Sequence, residues 1–355
     1  VLGGGGFSVM PAELMDEIRP DFGVGGVGEA VFPRLLEVIA GEGDGGSSLP
    51  GVYAWEGERL SSTPRGDAFL DIDALPVPDR RVVDQRYYER FGIESVQTKR
   101  GCSLSCEYCT YPTIEGRAVR RRTPKRVVDE LFDLVAQHEQ TKHLFIVDSV
   151  FNLPRSHAMA VCTEMIERGW SLPWTCYANP IGFDEPLARR MAEAGCVGME
   201  IGSDSGCDEV LRALNKGFDA PSIRRMHQVA KRVGIKDCHS FMVGTPSETL
   251  DHVRRTLDFI VDLEPFCAII MTWVDDHEAV EPDRAAERVA LRRDIGALLE
   301  QTAKQQPRWI IPGLAINFNH KLFALLRRMG LSGPLWQHLD LANSRRGRLA
   351  GIRPG

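Results

Sequence analysis

KRGCSLSCEYCTYP, residues 99–112, sets Cys102, Cys106 and Cys109 within one short stretch and follows them at once with Thr110, Tyr111 and Pro112. Three thiols fall one short of the four ligands of a closed tetrahedral metal site. Structural zinc usually pairs two Cys-x2-Cys knuckles, and neither a second knuckle nor a nearby His pair accompanies this one. What the thiols do depends on where the fold places their loop.

The run that leads into the loop, SVQTKRG (95–101), is the first of six β-rich runs. The others are HLFIVDS (143–149), LPWTCYA (172–178), CVGMEIG (196–202), KDCHSFMVG (236–244) and FCAIIMTWV (266–274). Amphipathic stretches separate them: PKRVVDELFDLVAQH, RSHAMAVCTEMIERG, EPLARRMAEAG, CDEVLRALNKG with APSIRRMHQVAKRVG, and SETLDHVRRTLDFIVDL. Several end in Gly, which accepts the left-handed conformation of a helix C-terminus, and Pro124 sits where a first helical turn accepts it. Six βα units predict a parallel α/β architecture, either a partial barrel or an open sheet. In both, chemistry collects in the loops after the strands, so the cysteine loop is one wall of a site. A cubane iron–sulfur cluster is held by thiolates. Three ligands would leave its fourth iron open.

CxxxCxxC with an aromatic just before the last Cys, on the loop after a first βα strand, resembles the radical S-adenosylmethionine enzymes. The resemblance implies a partial (β/α)6 TIM-like barrel over residues 95–275. It implies a [4Fe-4S] cluster on Cys102, Cys106 and Cys109, and S-adenosylmethionine seated on the open iron and cleaved there to a 5′-deoxyadenosyl radical. MEIGSDSG (199–206) resembles the fourth-strand segment that holds the ribose and methionine parts of the coenzyme and makes Asp204 and Ser205 candidates; it also reads as a capped strand-to-helix turn. FMVGTPSET (241–249) resembles the fifth-strand turn against adenine, with Gly244 allowing close backbone approach and a helix starting at Ser247. Asp148 and Ser149 end the second strand, and Tyr177 and Asn179 end the third, near the implied methionine amino group.

Residues 1–45 read as strand, glycine turn, helix, short strand, glycine turn and helix. Gly23, Gly25 and Gly28 satisfy GxGxxG, but the strand before them is short and no acidic residue ends a clear second strand downstream. The segment resembles the last part of a cobalamin-binding Rossmann-like domain of the kind fused ahead of many radical S-adenosylmethionine cores. Residues 46–94 resemble the connector, with a hairpin. The early strands of such a domain would precede Val1. Cobalamin is therefore implied for a longer parent protein, with weak or no binding by residues 1–355 alone, and Val1, Leu2, Phe7 and Phe22 are expected to lie bare. The implied reaction is methyl transfer to an unactivated centre, with cobalamin-associated cyclisation or rearrangement as the alternative and a metal-stabilised binding module as the reading of another class.

Residues 276–355 carry no recognisable motif and read as a helical C-terminal cap in which Trp309 and Phe318 either close over substrate or pack on the barrel. GRAVRRRTPKR (116–126) is a basic run that suits an acidic electron donor such as flavodoxin or ferredoxin, an anionic substrate, or a solvated helix start. The net charge of -6 supplies no overall attraction for nucleic acid or an anionic bilayer. There is no apolar run of about 18 residues, and the nine cysteines are an odd number spread over 355 residues, which fits a reducing cytoplasm. Cys162, Cys196, Cys238 and Cys267 read as small buried hydrophobes, His239 as a satisfied core histidine, and Cys176 and Cys207 as nearer the mouth of the site. A small-molecule substrate is expected.

Overall fold

The computed structural model describes residues 1–42, 49–65, 71–82, 84, 86, 91–274, 282–314, 325 and 328–339. The chain divides into two compact units. One comprises Val1–Pro76, Lys99–Leu104 and Tyr108–Arg122, the other Val77–Thr98, Ser105–Glu107 and Thr123–Gly355.

The larger unit is built on a seven-stranded sheet. Its strands are β5 (Ile93–Val96), β8 (His143–Ile146), β9 (Trp174–Ala178), β10 (Cys196–Asp204), β11 (Lys236–Val243), β12 (Cys267–Thr272) and β13 (Trp309–Ile310). All neighbours pair in parallel and follow one another in chain order. Such an order has no switch point, so the strands wind one way, as in a barrel that does not close.

Helices α5 (Pro124–Gln137), α6 (Arg155–Glu167), α7 (Glu185–Glu193), α8 (Asp208–Ala213), α9 (Ala220–Val233), α10 (Leu250–Leu263) and α11 (Pro282–Ala303) fill the crossovers. Thr123, Asp184, Asp219 and Thr249 cap α5, α7, α9 and α10 with side-chain oxygens, which satisfies backbone donors that a first turn leaves open. The helices cover one face of the sheet. Leu144, Ile146, Cys176, Met199 and Ile201 on that face pack with Val127, Leu131, Val161, Met165, Leu187 and Met226, and Phe241, Val243 and Ile270 pack with Val253, Leu257 and Ile260. On the opposite face Tyr177 is 39% and Met271 44% exposed.

Several expectations change. The first run is not one strand. β5 ends at Val96, the Thr98 N–H turns to the Asp148 carboxylate at 2.7 Å instead of the ladder, and β6 (Lys99–Arg100) pairs antiparallel with β7 (Arg120–Arg121) in the smaller unit. α10 begins at Leu250 and not at Ser247, because Thr249 supplies a capping box with His252. The C-terminal segment adds a seventh strand, so Trp309 is a buried sheet residue packed with Ile295 and Leu299 rather than a lid. Phe318 lies outside the described residues.

The smaller unit holds a four-stranded sheet, β1 (Leu2–Gly3), β2 (Phe22–Val24), β3 (Val52–Glu56) and β4 (Arg59–Ser62), with β1 parallel to β2 and the hairpin β3–β4 completing it antiparallel. Helices α1 (Gly5–Val9), α2 (Pro11–Ile18) and α3 (Val31–Ile39) follow the first two strands, and α4 (Tyr111–Glu115) comes later. Phe7 does not lie bare: it is 2% exposed and stands edge-on to Tyr53, with ring centroids 5.5 Å apart. Leu2 and Phe22 are half-buried, and Val1 is exposed.

Candidate functional site

The cysteine loop begins from the β6–β7 ribbon. Gly101 has φ +90°, and a Cβ there would meet the Ala118 carbonyl at 2.2 Å, so only glycine lets the chain enter the loop this close to the returning strand. Glu115 accepts the Gly101 N–H at 3.0 Å, and Gly116 accepts that of Cys102 at 3.1 Å. Cys102 is buried, Cys106 and Cys109 are half-buried, and none of the three is in a disulfide. Burial, with help from Glu115, raises the nearby Tyr111 phenol.

Ser105–Glu107 belongs to the larger unit and is held on both sides of Cys106. The Leu214 carbonyl accepts the Glu107 N–H at 3.0 Å, and Asn215 Nδ2 donates to the Ser105 carbonyl at 2.8 Å. The turn that grips Cys106 also carries Lys216.

The candidates named from the sequence on β8–β11 all stand at the C-terminal ends of those strands, but burial sorts them. Asp148 is fully buried. Thr98 N–H and Oγ1 donate to its two oxygens at 2.7 and 2.6 Å, and Thr98 Oγ1 also meets His157 Nε2 at 3.0 Å. Ser149 beside it is half-buried. Asn179 exchanges hydrogen bonds with Asn152, and its Oδ1 accepts from the Ile181 N–H at 2.9 Å, leaving Nδ2 without a partner among the described residues. Ser205 is consumed by the turn: its Oγ contacts Thr256 Oγ1 at 2.9 Å and accepts the Cys207 N–H at 3.1 Å. Tyr177 stands on the open face with its ring edge-on to Phe145.

Asp204 ends β10 at φ +60°, where the register slips against β11. Its Oδ2 pairs with Lys216 Nζ at 2.7 Å, both side chains being nearly fully buried. Gly244, φ +81°, turns the chain out of β11, and Arg288 of α11 donates to the carbonyls of Gly244 and Thr245.

Sequence reasoning missed Lys216, Arg288, Glu200 and Glu248. Glu248 Oε2 accepts from Thr245 N–H at 2.9 Å. Its Oε1 is buried with no partner among the described residues, and burial raises its carboxyl against those hydrogen bonds. An unsatisfied polar atom buried beside a strand-end turn is what a bound polar ligand would satisfy, so these residues fit a coenzyme at this rim. On the open face, Tyr177 pairs in register with Glu200. Burial raises the Glu200 carboxyl, although Trp336 Nε1 donates to it at 2.9 Å. A carboxyl inside a strand carried no signal in the sequence beyond breaking an apolar run.

Cys176 and Cys207 are buried, while His239 is a core histidine, bonded to Ser203 and Asp237.

Residues 96–260 match the Radical SAM superfamily. Among curated proteins, the tryptophan 2-C-methyltransferase of Streptomyces laurentii is 28% identical over 326 residues, covering 74% of this chain and 54% of that protein. A methyltransferase of Pyrococcus horikoshii is 26% identical over 267 residues, covering 74% and 58%. The chain thus spans about half the length of the curated relatives it matches. Among solved structures, the radical S-adenosylmethionine methyltransferase TsrM from Kitasatospora setae, with cobalamin and a [4Fe-4S] cluster bound, superposes with a TM-score of 0.82 at 22% identity, over 99% of this chain and 82% of that one. The cobalamin-dependent enzyme OxsB, with aqua-cobalamin and S-adenosylmethionine bound, superposes with a TM-score of 0.64 at 17% identity over 85% of this chain. At these identities the likeness is one of fold, and it extends through the N-terminal sheet.

Proposed function

With a radical SAM domain at residues 96–260 as its premise, we propose that this chain is a cobalamin-dependent methyltransferase acting on an unactivated carbon of a small, apolar substrate. The observation that carries the reading is the cysteine loop: three cysteines outside any disulfide, entered through a glycine whose Cβ the returning strand would exclude. Cys102, Cys106 and Cys109 would hold a [4Fe-4S] cluster, and the rim of Ser149, Tyr177, Asn179, Asp204, Gly244 and Glu248 would hold S-adenosylmethionine. Bound there, the cluster supplies single electrons to the coenzyme, and cobalamin supplies a methyl-carrying centre.

The smaller unit offers a place for cobalamin. Gly6 and Gly28 follow the C-terminal ends of β1 and β2, have ordinary φ, and face open space where a Cβ would stand. Neither backbone strain nor packing requires glycine there, and bare backbone at both positions would let a ligand approach closely.

The larger unit's own residues set the substrate class. Phe145, Tyr177, Met242 and Met271 give the open face an aromatic and thioether lining, which favours a planar apolar body. Glu200 is the carboxyl among them, and its raised affinity for a proton suits it to accept one from the carbon or ring nitrogen being modified. The basic run 116–126 suits an acidic electron donor such as flavodoxin or ferredoxin.

The tryptophan 2-C-methyltransferase and the Pyrococcus horikoshii methyltransferase support methyl transfer as the first reading. Similarity to anaerobic magnesium-protoporphyrin IX monomethyl ester cyclases, 24% and 27% identical, supports ring closure as the second. Anaerobic reconstitution with iron and sulfide, then incubation with methyl-labelled S-adenosylmethionine, cobalamin, reductant and a panel of indoles and other small aromatics, tests both. Label in a new carbon–methyl bond is expected. Cleaved coenzyme with an unlabelled, ring-closed product would establish the second reading, and a chain that keeps iron yet leaves the coenzyme intact would refute both in favour of a binding module.

A further inference from the structure

The reaction proposed above uses the C-terminal rim of the sheet. A second group of ligating side chains lies buried towards the other end. Asp237 and His239 open β11 two residues apart, so they share a face, the one that α9 covers, and His227 of α9 meets them. Their exposures are 4%, 0% and 7%. Asp237 Oδ2 accepts from His227 Nδ1 at 2.6 Å and from His239 Nε2 at 2.9 Å. One ligand atom from each of the three lies within 4.8 Å of the others.

We propose that His227, Asp237 and His239 form a site for a divalent transition metal, for which zinc is the natural occupant, with its fourth position open to an adjoining cavity. Two imidazoles and one carboxylate are the ligand set of many zinc sites that keep an exchangeable position. Two of the three atoms that would not touch the metal are already oriented by outer partners, as metal ligands usually are. Ser203 Oγ lies 2.7 Å from His239 Nδ1, and the Phe266 N–H donates to Asp237 Oδ1 at 3.0 Å. His227 and Asp237 line a cavity of about 520 Å³, which gives an ion a path and the fourth position a ligand. Lys231, Lys236 and Arg308 line it too, so an anionic group or hydroxide suits that position better than a neutral one.

The proton inventory closes. In the metal-free chain the two rings donate to Asp237 through His227 Nδ1 and His239 Nε2. On binding, the proton on each metal-facing nitrogen moves to the ring's other nitrogen, His239 Nδ1 then donating to Ser203 Oγ and His227 Nε2 facing the cavity it lines, so the transfer itself releases no proton. Asp237 Oδ2 must draw back from the two ring nitrogens, from 2.6 and 2.9 Å to roughly 3.4 Å, the spacing of tetrahedral ligands at zinc bond lengths. This is a movement of side chains on one strand and one helix.

The test separates this ion from the cluster. The full chain carrying Cys102→Ala, Cys106→Ala and Cys109→Ala is dialysed against chelator and titrated with Co2+ and then Zn2+. One equivalent of cobalt with ligand-field bands and no thiolate charge transfer, displaced by zinc, is expected. His227→Gln should abolish it. Ser203→Ala, which leaves all three ligands in place, should keep the stoichiometry and weaken affinity by roughly tenfold to a hundredfold. Far-ultraviolet circular dichroism checks that each variant is folded. Absence of cobalt binding, or binding that His227→Gln and Ser203→Ala leave unchanged, would overturn the proposal and leave the three residues as a hydrogen-bonded core network.

Discussion

The Asp204–Lys216 pair decides whether Asp204 serves the coenzyme directly or through its partner. Removing one member of a buried ion pair leaves a charge out of water and typically costs about 3–5 kcal/mol. Lys216 Nζ also sits 5.6 Å from the centroid of the Phe218 ring, an attraction that survives loss of Asp204. The lower end, about 3 kcal/mol, is therefore expected for Asp204→Asn. Asn is the right probe because it tolerates the left-handed backbone at φ +60° and so removes the charge alone. Lys216→Met should cost a similar amount. In the double variant the loss should fall short of the sum by about 2–3 kcal/mol, since neither charge is left stranded. Urea unfolding of the four proteins, followed by circular dichroism at fixed ionic strength, measures the cycle. Losses that add within about 0.5 kcal/mol would refute the coupling, and Asp204 would then be free to contact coenzyme on its own. If the coupling holds, Lys216→Met should weaken S-adenosylmethionine binding as much as Asp204→Asn does, because either change releases the turn that grips Ser105–Glu107.

Replacing any one of Cys102, Cys106 and Cys109 by Ala should abolish cluster assembly, and a variant that retains a full iron complement would remove that cysteine from the ligand set. Glu200→Gln should be more stable than the parent at neutral pH but not in acid. Burial raises the Glu200 carboxyl, so the folded chain holds that proton more tightly than the unfolded chain, and the stability this adds is present at low pH and lost as pH rises through the folded value; identical pH dependence of Tm in both proteins would count against it. Phe7→Ala should cost about 3–5 kcal/mol, the usual loss for a buried aromatic, read as faster hydrogen exchange across β1–β4, and unchanged exchange would show that Phe7 packs less tightly than its burial indicates.

The parallel strands were legible because they are short apolar runs, closed by glycine or polar turns, and alternate with helical periodicity. What escaped was set by contacts far apart in sequence. Nothing local in VQTKR says that the chain leaves the sheet at Thr98; the Asp148 carboxylate, 50 residues on, takes the N–H that the ladder would have used. β13 is two residues long and is a strand only because β12 has an edge to offer. In the site, position at a strand's end was readable but availability was not. Asp148, Ser205 and Asn179 stand at the strand ends the sequence marked, yet the first two spend their oxygens on Thr98, Thr256 and the Cys207 N–H, and Asn179 keeps only its Nδ2 unpartnered among the described residues. Lys216 had no motif to announce it, since a lysine before a glycine in a turn is ordinarily a solvated one.

The glycines of the first sheet make the same point more sharply. Gly23, Gly25 and Gly28 satisfy a dinucleotide fingerprint by spacing, but the structure sets them in three different surroundings. At Gly23 a Cβ would stand 2.1 Å from the Phe7 ring, so that glycine exists to bury an aromatic. At Gly25 it would meet the Arg65 guanidinium at 2.9 Å, an arginine that also donates to the Thr113 carbonyl at 2.6 Å. Gly28 faces nothing. Gly23 is thus explained by packing within the unit, and a phosphate cradle built on all three would need it to be bare. Gly28 is left without an internal cause, as is Gly6 in the first turn of α1. They follow the adjacent parallel strands β1 and β2 at the same end of the sheet, which is where a large planar cofactor, and not a dinucleotide held by one turn, would need the backbone of both turns uncovered.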